Sequence, residues 1–132
     1  MRVYLGGAIR GVKDPISWRR AVTEQLPEGW EAIDPTKIEL FVDNEDDYEG
    51  AKRVVSGDLR AIETCDAMLA LINVPSWGTA MEIFYANQLK IPVIGWNAGG
   101  GSVGPWLQVH CNWILSDFED IKLFLQNLLV KT

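Results

Sequence analysis

Residues 67–72 (AMLALI) run directly into residues 73–82 (NVPSWGTAME), and these two segments decide how the chain is organised. The first is an uninterrupted apolar run of the length typical of a strand buried on both faces. Pro75 and Gly78 mark a turn after it. Beyond the turn, apolar residues recur at helical spacing: Ile83, Ala86 and Leu89. The pattern predicts a strand, a turn and a helix that carries Glu82 in its first turn.

A glutamate in the first turn of a helix has a favourable environment for its charge. The unpaired N–H groups of that turn and the positive end of the helix dipole stabilise an ionised carboxylate. A carboxylate that is both ionised and held in position is a potential nucleophile. The same placement also occurs simply because it stabilises a helix, so on this evidence alone Glu82 is a candidate and no more.

The composition predicts one folded unit, a single domain spanning residues 1–132. Almost half of the 132 residues are apolar (48%), enough for one layered core, and we expect no second domain. A chain of this size gains from pairing with a copy of itself, so we expect a homodimer or a higher homo-oligomer.

The charge and the cysteines restrict the partners. A net charge of −6 argues against a nucleic-acid partner and against binding to an anionic membrane surface, and no apolar run is long enough to span a bilayer. Cys65 and Cys111 show no metal-ligand spacing, and no signal peptide is recognisable. We therefore expect a cytoplasmic protein with reduced thiols and no metal.

Strands and helices alternate along the chain. Strands are predicted at residues 2–6, 30–33, 67–72, 91–96 and 113–115, and helices at 16–26, 56–64, around Glu82, at 105–110 and from 118. Ser56 is the expected cap of the second helix, which puts Asp58 in its first turn, and residues 116–119 match a capping box.

Residues 36–55 give the weakest signal, and we interpret them as a mobile loop or lid. An acidic cluster at residues 43–49 falls within this segment. Such clusters can bind Ca²⁺, but the spacing lacks the EF-hand glycine and terminal glutamate, so a solvated face is the favoured interpretation.

This alternation predicts an α/β fold, a three-layer sandwich with a five-stranded parallel sheet. We favour the flavodoxin-like (Rossmann-like) strand order 2-1-3-4-5. In that order the first and third strands are neighbours whose crossovers leave on opposite sides, so a crevice opens at their carboxyl ends. Those ends are residues 6–11 and 73–78, which makes this edge of the sheet the expected ligand site.

Two further motifs compete with this prediction, and both are weak. Gly6, Ala8 and Gly11 nearly match the dinucleotide fingerprint, but the second glycine is missing and the next helix begins late, so we expect no cofactor. Residues 100–104 satisfy the GxSxG pattern of serine hydrolases. However, His110 precedes Asp117, the reverse of the expected order, and the sheet is too small for that fold.

At residues 6–11 (GGAIRG), at Asp58 with Asp66, and at residues 75–82 (PSWGTAME), the chain resembles the nucleoside 2-deoxyribosyltransferase superfamily. The resemblance extends over residues 3–94. Within the superfamily, Tyr4 with residues 7–11 and the pair at 75–76 are most similar to the 2'-deoxynucleoside 5'-monophosphate N-glycosidase branch. Ala8 stands where that branch usually has serine, and the pair Thr79-Ala80 is also common in transferase members.

The resemblance implies a flavodoxin-like fold, assembly as dimers or larger, and cleavage of the bond between sugar and base. It implies that Glu82 is the nucleophile and forms a glycosyl-enzyme intermediate. Asp58 would protonate or orient the departing base, and Tyr4 would hold the glutamate or line the sugar pocket. These roles suit retaining glycosyl transfer, which needs an ionised carboxylate at the anomeric carbon and a proton donor beside the leaving group.

Further residues are expected to bind the substrate. Base-exchanging transferases typically carry aspartate at the position of Ser76, and a neutral hydroxyl there tolerates a nearby 5'-phosphate that aspartate would repel. Trp77 is expected either to stack on a base or to pack at a subunit interface. The predicted binding set is Gly7, Ile9, Arg10, Gly11, Ser76, Trp77, Gly78 and, from a neighbouring subunit, Ser102.

Three functions follow as hypotheses. The first is hydrolysis of a (2'-deoxy)nucleoside 5'-monophosphate with water as acceptor. The second is base exchange between deoxynucleosides at the same site. The third is a non-catalytic module that binds nucleotides.

Overall fold

A computed structural model describes residues 1–39 and 47–131 of the chain. Five parallel strands form one sheet in the order β2-β1-β3-β4-β5, which confirms the predicted flavodoxin-like topology. Their bounds are β1 Arg2–Gly6, β2 Glu31–Ile33, β3 Ala67–Leu71, β4 Val93–Trp96 and β5 Trp113–Leu115. Each lies within the predicted range or differs from it by at most two residues.

The helices cover both faces of this sheet. Their bounds are α1 Ser17–Gln25, α2 Thr36–Glu39, α3 Tyr48–Glu63, α4 Trp77–Gln88, α5 Pro105–His110 and α6 Phe118–Lys131. On one face, Val22 of α1 and Ile121 of α6 pack against Leu5 and Leu69. On the other face, residues of α3 and α4 pack around Met68, and Leu107 of α5 lies beside them. The result is the three-layer sandwich that the alternation of elements predicts.

Two features of the central strands explain where a site can form. β1 pairs with β2 on one side and with β3 on the other, and Gly6 lies opposite Ala70 at the carboxyl end of this pair. The chain leaves β1 toward α1 on one face and leaves β3 toward α4 on the other face. A crevice therefore opens between the two connections, as expected at a switch point of this sheet order.

The segment interpreted as a loop or lid is largely helical where the structure describes it, so that prediction was wrong. Residues 36–39 form α2, and α3 begins at Tyr48 because the Asp47 carboxylate accepts a hydrogen bond from the Gly50 amide, 2.7 Å away. Ser56 is therefore not the cap, and Asp58 lies well inside α3. Most of the acidic cluster falls at residues 43–46, outside the described residues.

The start of α6 also differs from the predicted capping box. Helix α6 begins at Phe118, and the Asp117 carboxylate accepts a hydrogen bond from the Glu119 amide at 2.9 Å. Aspartate and serine both cap helices well, and here the aspartate lies one residue nearer to the helix. Among residues 1–39 and 47–131, no helix combines the length and the apolar character needed to cross a membrane.

Candidate active site

A cleft of about 490 Å³ lies at the carboxyl ends of β1 and β3. Three parts of the chain line it: the loop after β1, the middle of α3, and the connection from β3 into α4. Predicted site residues among its lining are Gly7, Ile9, Arg10, Asp58, Ser76, Trp77, Gly78 and Glu82. The fold thus brings together residues that are more than seventy positions apart in the sequence.

Glu82 is half-buried in this cleft and is held by Tyr4. The Tyr4 hydroxyl donates a hydrogen bond to Glu82 Oε2 at 2.5 Å, and the Tyr4 ring is fully buried between the sheet and its helices. A buried phenol in the middle of a central strand cannot easily move, so it fixes one carboxylate oxygen in place. Tyr4 is not among the residues that line the cleft; its contact with the cleft passes through Glu82.

Glu82 does not lie in the first turn of its helix, as the sequence predicted. Helix α4 begins at Trp77, so Glu82 is in its second turn and no acidic residue lies in the first. The effect of the helix dipole falls off within one turn, so it is not the main influence on this carboxylate. The short hydrogen bond from Tyr4 positions this carboxylate.

Asp58 enters the cleft from the side of α3. It is 6% exposed, and it lines the cleft together with Val54, Val55 and Leu59 of the same helix. Asp58 lies in the body of α3 and not in the first turn of a helix, as the sequence predicted. Asp66, quoted beside it in the sequence, lies at the opposite end of β3, where Oδ2 accepts a hydrogen bond from the Arg2 amide at 2.8 Å.

The start of α4 forms one wall of the cleft. Ser76 is the N-cap, and its Oγ accepts a hydrogen bond from the Thr79 amide at 3.2 Å. Gly78 lies in the first helical turn, not in the preceding connection as its sequence position suggested. Trp77 is 86% exposed, so its indole is available to a ligand or to another protein surface.

The loop after β1 forms the opposite wall. Gly7 is buried, and a Cβ atom there would lie 2.8 Å from the Trp18 ring, which explains why this position needs glycine. Ile9 and Arg10 follow along the wall. Gly11 adopts a positive φ of 75° and turns the chain away, so it does not line the cleft despite its place in the predicted set.

Ser102 is also outside the cleft of its own chain. It is exposed on the glycine-rich connection between β4 and α5, where glycines 99–101 all have positive φ. The predicted contribution of Ser102 from a neighbouring subunit stays a prediction. His110, the possible partner of a GxSxG serine, stacks on Trp106, and its Nδ1 lies 2.7 Å from the Trp106 carbonyl oxygen.

Sequence reasoning missed several residues of the lining, including Thr79 and Met81. Thr79 is 5% exposed, and its Oγ1 has no hydrogen-bond partner among the described residues. A signal for it existed, because residues three positions apart on a helix share a face, and Thr79 precedes Glu82 by three. Val54 and Val55 gave no such signal, since that segment was interpreted as a loop.

A second cavity of about 440 Å³ lies on the other side of the start of α4. It is mainly apolar, and Trp106 and Leu107 of α5 form its far wall. Exposed apolar side chains are part of its lining, with Trp77, Met81 and Trp106 each 69–86% exposed. Within the described parts of the chain, no group of three or more His, Cys, Asp or Glu side chains is arranged to hold a metal ion.

The arrangement defines a class of site before any relative is considered. A parallel α/β sheet has a cleft at its switch point, and that cleft contains a glutamate held by a tyrosine and a nearly buried aspartate. Such a site suits a small molecule whose reaction uses carboxylates as nucleophile, acid or base.

The chain belongs to the nucleoside 2-deoxyribosyltransferase family, whose sequence profile matches residues 3–121. The family is one of enzymes that act on the bond between a sugar and a base, and N-glycosidases are among the relatives. A Methanosarcina mazei protein with the provisional name 2'-deoxynucleoside 5'-phosphate N-hydrolase 1 is 29% identical over 98 residues. That match covers 70% of this chain but only 58% of the relative.

Solved structures share the fold. A 2-deoxyribosyltransferase from Bacillus psychrosaccharolyticus superposes with a TM-score of 0.78 at 21% identity, over 92% of this chain and 90% of the other. A conserved protein from Enterococcus faecalis V583 gives 0.73 at 16% identity, over 96% and 97%. A CMP N-glycosidase from Clostridium botulinum gives 0.55 at 22% identity, over the full length of both chains.

Proposed function

We propose that this protein hydrolyses the N-glycosidic bond of a (2'-deoxy)nucleoside 5'-monophosphate by a retaining mechanism. The observation that carries the proposal is the hydrogen bond of 2.5 Å from Tyr4 to Glu82 inside the cleft. It fixes one carboxylate oxygen of Glu82 within the cleft where we propose that the sugar binds. Membership of the family and the provisional name of the Methanosarcina mazei relative support the reaction and the phosphorylated substrate.

The proposed reaction has two steps. In the first, a Glu82 oxygen bonds to the anomeric carbon, the bond from that carbon to the base nitrogen breaks, and the base leaves with a proton supplied by Asp58. In the second, Asp58 takes a proton from water, the water oxygen bonds to the anomeric carbon, and the bond to Glu82 breaks. The products are the free base and the sugar 5-phosphate, and both carboxyl groups return to their starting states.

Three groups are proposed to recognise the phosphate. Ser76 presents a small neutral side chain at the start of α4, where N–H groups and the helix dipole favour an anion. Arg10 and the backbone of residues 7–11 supply a cation and donors from the opposite wall. The chain is acidic overall, so local contacts of this kind are needed to bind an anion.

We further propose that the protein acts as a homodimer in the cytoplasm. The exposed apolar side chains around the second cavity adjoin the cleft through Trp77 and Met81, and a second copy would cover them. Reduced thiols suit that compartment: Cys65 and Cys111 are both buried and free, and burial raises the pKa of the Cys111 thiol to about 11.

The competing function is base exchange, which the family name favours. Incubation with deoxynucleoside monophosphates and with unphosphorylated deoxynucleosides, each with and without a second free base, separates the possibilities by chromatography. Free base with sugar 5-phosphate supports hydrolysis. A new nucleoside containing the added base would show transfer instead. Tight binding without release of base would identify a binding module and overturn both.

A further inference from the structure

Arg19 is a fully buried arginine in α1 that the reaction proposed above does not use. Its exposed fraction is 0%, although arginine is seldom completely buried. The guanidinium donates hydrogen bonds to three backbone carbonyl oxygens: Nε to Leu5 at 3.1 Å, Nη1 to Pro15 at 2.6 Å and Nη2 to Gly7 at 2.8 Å. A buried charge with this many backbone partners has a specific structural task.

The three carbonyl groups share a location in the chain. Leu5 is near the end of β1, Gly7 begins the loop that lines the cleft, and Pro15 closes that loop just before α1. One guanidinium therefore holds both ends of residues 7–15 at a fixed separation. Ile9 and Arg10, which line the cleft, lie between the two attachment points.

The surroundings of Arg19 hold the guanidinium itself in place. The Asp34 carboxylate, which directly follows β2, forms an ion pair with Arg19 at 3.8 Å from Nε, and it accepts hydrogen bonds from the amide and hydroxyl of Thr36. The Trp18 ring is stacked near the guanidinium, with Cζ 4.5 Å from the ring centre. The same ring packs against Gly7, so the start of the loop is confined from two sides.

We propose that Arg19 is a positioning residue for substrate recognition: it sets the shape of residues 7–15 and thereby the place of Arg10 in the cleft. Its effect on the substrate phosphate rests on the proposed function, whereas its effect on the loop does not. The buried ion pair with Asp34 serves this geometry, because a buried pair seldom adds net stability over an apolar replacement.

Replacing Arg19 by lysine separates the effect of the shape of the guanidinium from the effect of its positive charge. An ammonium group retains the positive charge beside Asp34, but it lacks the planar fork that reaches three divergent carbonyl oxygens. Arg19→Lys is therefore the informative variant. Arg20→Lys is its matched control, since Arg20 is the next residue of the same helix and is exposed.

The first measurement is amide hydrogen exchange, which needs no substrate. We expect Arg19→Lys to speed exchange of the amides at residues 8–13 by about tenfold, with α4 unchanged and Arg20→Lys like wild type. Unchanged exchange in the loop would overturn the proposal whether or not the protein hydrolyses nucleotides. Should Arg19→Lys not fold, the pair Arg19→Gln with Asp34→Asn replaces it, because this pair removes both charges together.

The second measurement is a kinetic double-mutant cycle. We expect Arg19→Lys to raise KM for a deoxynucleoside monophosphate about tenfold, as for one misaligned charge-assisted hydrogen bond, with much less change for the unphosphorylated nucleoside. In an Arg10→Gln background the same substitution should add little, because the side chain it positions is gone. Equal rises for both substrates, or additive effects, would assign Arg19 a purely structural role. Absence of all activity in wild type would refute the proposed function and leave the exchange result to decide the role of Arg19.

Discussion

Two connections leave the same edge of the sheet and enclose the cleft, and they are held in different ways. Residues 72–76 link β3 to α4, and the side chain of Ser76 caps the helix that follows it directly. Residues 7–16 link β1 to α1 over a longer path. Their shape depends on Arg19, a residue beyond the loop, and on Asp34 from the end of β2.

The difference shows how the two walls of one site are built. The β3–α4 connection is organised by its own residues, so Glu82 is carried on a helix whose start is fixed locally. The β1–α1 connection is organised by buried contacts with other elements. The Tyr4–Glu82 hydrogen bond joins the two regions, because Tyr4 belongs to β1 and Glu82 to α4.

The largest effect is expected from the carboxylate on α4. Glu82→Gln retains the size of the side chain and a hydrogen bond to Tyr4 but removes the proposed nucleophile, so turnover should fall by at least about a thousandfold. Initial rates on deoxynucleoside monophosphates measure this, and calorimetry should show that substrate still binds. Full activity in Glu82→Gln would exclude the proposed mechanism.

A matched control is available on the surface. Glu63 accepts a hydrogen bond of 2.5 Å from the Tyr85 hydroxyl, the same pair of groups at the same distance, but neither residue lines the cleft. This contact raises the pKa of the Tyr85 hydroxyl. Glu63→Gln should leave turnover at the wild-type rate, which attributes the loss in Glu82→Gln to the position of the carboxylate in the cleft.

The second largest effect is expected from the hydrogen bond between Tyr4 of β1 and Glu82 of α4. Tyr4→Phe removes one hydroxyl from a fully buried ring and leaves the rest of its packing in place, so Glu82 loses its fixed orientation. We expect kcat to fall about ten- to a hundredfold with a smaller change in KM. Steady-state kinetics measures kcat and KM for Tyr4→Phe and for the control Tyr85→Phe, which removes the tyrosine hydroxyl that donates to Glu63. Equal kcat in both variants would mean that Tyr4 does not position the nucleophile.

The contrast between the two connections also explains what the sequence could reveal. Apolar runs, Pro75 and the helical spacing after it are local signals, and they predicted the strand order and the position of the cleft correctly. Glu82 and Asp58 lie in that cleft, although the helix-start arguments offered for both were wrong. Helix boundaries depend on which side chain caps the helix, and Asp47 was read as part of an acidic loop.

Tertiary contacts are the part that the sequence could not reveal. Arg19 lies in an ordinary helical pattern, and nothing local distinguishes it from the exposed Arg20 beside it. Its three carbonyl partners become neighbours only after β1 and α1 have packed together. Asp34 directly follows β2 in the sequence, and only the structure shows that it lies beside Arg19.

The third largest effect is expected at Ser76 in the β3–α4 connection, and it concerns the preference for a phosphorylated substrate. Ser76→Asp keeps a side chain that can cap α4 but places a negative charge at the cleft. We expect KM for the monophosphate to rise about tenfold from charge repulsion, while KM for the unphosphorylated nucleoside changes little. Steady-state kinetics on both substrates measures the ratio, and Ser76→Asn is the neutral control. Parallel changes in both KM values would remove Ser76 from the recognition of phosphate.

The smallest effect is the pH dependence of the Asp14 contacts before α1, compared with the Ser76 cap of α4. Asp14, at the end of the β1–α1 connection, accepts hydrogen bonds from the Ser17 hydroxyl and from the amides of Ser17 and Ile16. These contacts, that of the Ser17 side chain first, lower the pKa of the Asp14 carboxyl below 3.8. A lowered pKa in the folded state means that the contribution to stability is present above the unfolded value and is lost as pH falls through the folded one.

Asp14→Asn should therefore lose less stability than wild type on acidification, because asparagine still accepts a hydrogen bond but does not titrate there. Urea unfolding at a series of pH values, from neutral to acidic, gives the free energy of unfolding of both proteins. The difference between the two free energies should shrink once the pH falls below 3.8. Ser76→Asn is the companion variant, since a serine cap does not titrate and its difference from wild type should stay constant over the same range. A constant difference for Asp14→Asn as well would show that the charge of the exposed Asp14 carboxylate adds nothing to stability. Asp14 would then act through hydrogen bonding alone, as Ser76 does.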